Sequence, residues 1–162
     1  MKLSMTMRKV LLTIHILFSA IMFGNMVTFL ILSITATTTE NMVLVESCYQ
    51  IMHVLSQTSV KASTIGATLT GILLSVLTKW GLFTYYWIIV KQGITLLLIG
   101  LNFWGMYAWV LKALNQFDQT SMSMAQADLW IGIIIQIISL IILFAISVFK
   151  PWGKRKTKKI RS

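Results

Sequence analysis

The sequence predicts an all-α fold, a four-span transmembrane helical bundle whose long second helix projects to the outer side. Four stretches, 10–36, 62–78, 85–111 and 129–149, are apolar and close to or above the length that crosses a bilayer, which takes about 20 residues. The chain of 162 residues is 57% hydrophobic and 11% charged, with a mean hydropathy of +0.81. A soluble domain would carry about a quarter charged residues. Basic residues also collect on one side of the predicted spans, as the positive-inside rule describes, and the placement of the acids on the other side agrees with it.

The first span, 10–36, is uncharged throughout. It is too long for the 7–15-residue apolar core of a signal peptide. A short polar turn, Thr37-Thr38-Thr39-Glu40-Asn41, follows. The second helix is the organising element. From Glu46 to Thr78 it has no proline, and it shows two rows when placed at 100° per residue. One row is polar and includes Glu46, Gln50, His53, Gln57, Lys61 and Thr64. The other is small: Ser59, Ser63, Ala67, Gly71 and Ser75, each four apart. Small residues at that spacing let membrane helices approach closely.

A continuous helix from Glu46 to Thr78 would be ~50 Å long, against a hydrocarbon core of ~30 Å. It must tilt, project into the outer aqueous side, or break near Ser56–Ser59, and projection is the expectation. Trp80-Gly81 makes the next turn. The third span, 85–111, contains Lys91. The fourth, 129–149, ends before Pro151, the sole proline. Tryptophans and tyrosines gather at the predicted interfaces, as in a membrane belt. Residues 1–149 form the membrane domain and 150–162 a basic tail.

Lys2, Arg8, Lys9, Lys79 and the seven basic residues of 150–162 lie on the side of both termini; Glu40, Glu46, Asp118 and Asp128 lie on the other. The positive-inside rule therefore places both termini in the cytoplasm of a cytoplasmic (inner) membrane. The net charge of +10 is read as tail contact with anionic lipid, since no nucleic-acid motif accompanies it. The expected partners are the lipid bilayer and either a second copy of the chain or another membrane protein.

Depth counting at 1.5 Å per residue groups the interior polar residues into layers. His15 and Lys91 form an inner layer. The structural reading of Lys91 is that it snorkels to the headgroups; the functional one is that the pair holds an anionic group or water. Asn25, Lys61, Thr64, Asn102 and Gln136 form an outer layer, for which interhelical hydrogen bonding is the plain reading. His15 and His53 are ~28 Å apart in depth, so one haem cannot take both; a single-histidine haem is the weaker cofactor candidate.

Soft sulfur ligands raise copper(I). Cys48 and Met52 are i,i+4 neighbours, and Met122 and Met124 form a Met-x-Met pair on the same side. The structural reading is that these methionines are flexible apolar filler. The lone cysteine excludes an intrachain disulfide. The sequence contains no nucleophile–base triad, paired carboxylates, phosphate loop or zinc motif, which argues against an enzyme.

Thr70-Gly71, then Tyr85-Tyr86-Trp87, then Lys91, together with His15-Ile-Leu and a downstream Gly24, resemble the copper-resistance D-type membrane proteins and the small bacterial membrane proteins related to them. The resemblance covers roughly residues 10–111. It implies a helical bundle, with copper handling in some members. The function expected is that of a small, non-enzymatic polytopic membrane protein that binds or passes a small ligand, with copper a candidate. The alternative is a structural or regulatory subunit that packs helix two against a partner; a haem-dependent redox protein comes third.

Overall fold

A computed structural model describes residues 4–77, 81–115 and 119–153, with side chains described for 4–77, 81–114 and 126–153. Helix one is Met5–Thr38. Helix two runs Met42–Leu77 and includes a π-helical turn at Ser56–Val60. Helix three comprises Tyr86–Gly100, a second π turn at Leu101–Gly105, and Met106–Asn115. Helix four is Gln119–Phe149. All four are long and apolar enough to cross a membrane, and the chain is a small multi-pass membrane protein of all-α fold.

The helix ends have local causes. The Ser4 hydroxyl accepts from the Met7 amide at 3.2 Å and starts helix one. Thr39 adopts extended backbone and stops it. Two residues later the Asn41 side chain accepts from the Val43 and Leu44 amides and starts helix two. Such a cap is worth ~1 kcal/mol. The hairpin therefore turns within the polar segment expected from the sequence. Gly81, at φ +64, sits in the left-handed region, where glycine carries no Cβ penalty. Helix four ends at Phe149, just before Pro151.

The helices neighbour one another in chain order and close into a ring where helix four returns to helix one. Phe23 and Phe144 meet edge to face at 6.2 Å across that closing seam. Many large apolar side chains, among them Leu12, Ile31, Leu96 and Ile138, point outward. Helices apolar all round suit lipid surroundings.

The first half of helix two does not stand alone. Val45, Cys48, Tyr49 and Met52 are buried against helices one and three. Helix one is 34 residues long, ~51 Å at 1.5 Å per residue, so it accompanies helix two to the hairpin that joins them. The register does break at Ser56–Val60, through a π turn that keeps the helix continuous.

Candidate functional site

The centre of the bundle is a hydrogen-bonded polar node. Gln136 on helix four donates through Nε2 to Asn102 Oδ1 on helix three at 2.7 Å. Asn102 Nδ2 donates to Thr64 Oγ1 on helix two at 2.9 Å. The Thr64 hydroxyl donates to its own Val60 carbonyl at 2.7 Å. Met22 of helix one brings its sulfur to 3.8 Å from Asn102 Nδ2. Thr64, Asn102 and Gln136 are at most 2% exposed. Every helix thus supplies one group, as expected of polar residues that face a bundle interior.

Both π turns adjoin this node. Asn102 lies within the second, and Val60, whose carbonyl takes the Thr64 hydroxyl, closes the first. A π turn widens a helix by one residue and re-aims its side chains, and such turns recur at functional sites.

One turn further out, Asn25 joins helices one and two. Ser59 Oγ donates to Asn25 Oδ1 at 3.0 Å, and Asn25 Nδ2 faces Ser63 Oγ at 3.5 Å. Further still, Ser33 Oγ points to Met52 Sδ at 3.8 Å. Lys61 stays out of the node. Its ammonium donates to Gln57 Oε1 and lies 5.4 Å from the Tyr107 ring centroid. His53 packs on the same ring at 5.6 Å.

Toward the end that holds the chain termini, His15 Nδ1 is 2.9 Å from Thr70 Oγ1, with the ring edge over Gly71. Lys91 Nζ donates to Ser147 Oγ at 2.7 Å. The two residues expected to share a layer are therefore anchored separately, His15 to helix two and Lys91 to helix four. The small row faces helix one: Ser59 and Ser63 meet Asn25, Gly71 meets His15, and Gly66 beside the row receives the Phe18 ring. Ala67 and Ser75 are half-buried on the same helix.

Of the sulfur residues, Cys48 and Met52 lie on one buried face, 3% and 0% exposed, in the apolar core. The side chains of Met122 and Met124 fall outside the described residues, as do Lys79, Trp80 and the tail from Lys154 onward. Among the described residues no group of three or more His, Cys, Asp or Glu is placed to hold a metal.

Sequence reasoning found the polar residues but not their partners. Tyr107, Ser147 and Met22 carried no signal that distinguished them from interface or filler residues. No protein-family model, curated protein or solved structure matches this chain.

Proposed function

We propose that this is a non-enzymatic protein of the cytoplasmic membrane, with both termini inside, whose bundle interior binds or passes a small ligand. The observation that carries the reading is the node formed by Thr64, Asn102 and Gln136, buried where two helices switch to π geometry. Polar interhelical contacts add only ~0.6 kcal/mol each on average in membrane proteins, so packing alone gives weak reason for a node of this kind. The orientation is supported by the eleven basic residues on one side against Lys112 on the other, with which the placement of the four acids agrees.

Copper(I) is one ligand in this reading. It is supported by the shared face of Cys48 and Met52, by the other buried methionines Met22, Met26 and Met106, and by the resemblance to copper-resistance D-type proteins. The competing reading, a subunit that packs helix two on a partner, loses its main motive because the small row is occupied by helix one.

Thermal unfolding of the purified protein in detergent tests the reading, with copper(I) and inorganic phosphate as probes. A ligand at a hundred times its Kd stabilises the folded state by about 2.7 kcal/mol. Stabilisation of the wild type by copper(I) that is lost in Cys48→Ser with Met52→Leu is expected. No stabilisation by any probe, together with co-purification of another membrane protein, would favour the partner reading instead.

A further inference from the structure

Inward of the node the ring opens. Helix two stays on helix one and helix three on helix four, while helices two and three part. Trp87 and Ile88 of helix three pack on Ile146 of helix four as a separate small cluster. A groove of about 170 Å³ lies between the parted helices, lined by Thr64, Ile65, Thr68, Leu69, Ile99 and Phe103. Ile65, Leu69 and Phe103 remain exposed there, so the groove faces sideways into hydrocarbon.

Two nitrogen-bearing side chains stand at its inner end. Counted from Met22 and Asn102 in the node, His15 lies ~10 Å and Lys91 ~16 Å toward the termini. The two depths differ by only ~6 Å, a step along the membrane normal that one phosphate accepting hydrogen bonds of about 2.8 Å can span. Lys91 is half-buried on helix three. No acid is available to neutralise it, since all four acids lie at the outer end of the chain's topology. An uncompensated cation inside a membrane bundle marks a functional site by default. Ser147 takes one of the three Lys91 protons.

The His15 ring is held against helix two. Thr70 Oγ1 lies 2.6 Å from the Gly66 carbonyl and is committed to it as donor. With that hydroxyl donating to the carbonyl, its oxygen is open to a hydrogen bond from His15 Nδ1–H.

We propose that the gap between helices two and three seats one anionic phospholipid from the leaflet on the side of the termini, its phosphate between Lys91 and His15 and an acyl chain in the groove. This rests on the reading of the bundle interior as a ligand seat and names the occupant of its inner half. A soluble oxyanion would use the charged end and leave the apolar groove without an occupant. Arg8, Lys9 and Lys150, exposed at the same end, attract anionic lipid to it.

Phosphate beside Nε2 favours the protonated ring. Among the described residues, the other titratable or charged groups at this end are Arg8 and Lys9 on helix one, Tyr85 and Tyr86 opening helix three, and Lys150 after helix four. Helix two carries none from Ala62 to Leu77.

The test is ¹⁵N NMR of His15 in the full chain, reconstituted at neutral pH into phosphatidylcholine nanodiscs and titrated with phosphatidylglycerol. Nε2 is expected to move to the protonated position with phosphatidylglycerol and to stay put with inorganic phosphate in phosphatidylcholine alone. Lys91→Met should abolish the response. Leu69→Trp, which fills the groove from a lipid-facing position and leaves both cations, should weaken it at least tenfold. A response to inorganic phosphate without anionic lipid would overturn the lipid assignment while leaving the ligand-seat reading intact. Silence toward both probes, or an undiminished response in both variants, would overturn the proposal.

Discussion

The Phe18 ring of helix one lies over Gly66 of helix two, and adding one methyl group there tests that packing. A Cβ built on Gly66 lies 2.6 Å from three atoms of the Phe18 ring, a separation that real contacts do not show. The ring is half-buried, so it must move or the helices must part. Overpacking of this kind costs about 1–3 kcal/mol. Against it stands the helix propensity gained from Gly→Ala, up to about 1 kcal/mol.

Gly93→Ala separates the two effects, because a Cβ at Gly93 meets nothing within 4 Å. The account predicts that Gly66→Ala is less stable than Gly93→Ala by about 1–3 kcal/mol, the clash alone. The assay is reversible unfolding in mixed micelles, followed by helicity as the denaturing detergent fraction rises. Phe18→Leu in the Gly66→Ala background should recover part of the loss, with a coupling of about 0.5–3 kcal/mol. Equal stability of the two alanine variants would refute the helix one–helix two interface drawn here.

Asn102→Leu removes two hydrogen bonds of the node and should destabilise by about 1–3 kcal/mol, since membrane hydrogen bonds average ~0.6 and reach ~1.7 kcal/mol each; combining it with Gln136→Leu should cost less than the sum of the single losses, measured in the same unfolding assay. In a Cys48→Ser background, a cysteine at Glu40 in the exposed turn should label from outside intact cells and one at Gly153 only after permeabilisation; labelling of Gly153 in intact cells would reverse the orientation. Cys48→Ser with Met52→Leu should abolish copper(I) binding measured against a competing chelator while the fold persists, because Leu conserves the Met52 volume; absence of copper(I) binding in the wild type would end that proposal.

The spans and their polar turn were legible because continuous apolar runs and a Thr-rich break need no knowledge of neighbours. The register break in helix two was also within reach. A helix of ~50 Å in a ~30 Å core forces some irregularity, and Ser56–Ser59 is the polar point along it. Depth counting brought Thr64, Asn102 and Gln136 to one level, and the structure joins them by hydrogen bonds. It also put Lys61 at that level, but level is not direction, and Lys61 turns to Tyr107 instead.

Partner identity was the hidden part. Periodicity identifies the face of a helix, not what meets it. The small row was read as the wall of the bundle, yet nothing in its spacing says that Phe18, His15 and Asn25 of helix one fill it. Helices three and four are apolar almost all round, so no stripe announced that they pair closely inward of the node while helix two departs. Lys91 had no carboxylate at its depth, and a serine two residues from the end of helix four gave no cue to the bond between them.

The central claim is that the bundle interior holds a ligand, and native mass spectrometry of the protein extracted in mild detergent tests it most directly. The account predicts a retained adduct on the 18.3 kDa chain that is diminished in both Lys91→Met and Gln136→Leu. A bare chain under conditions that keep the fold, or an adduct retained equally by both variants, would contradict it.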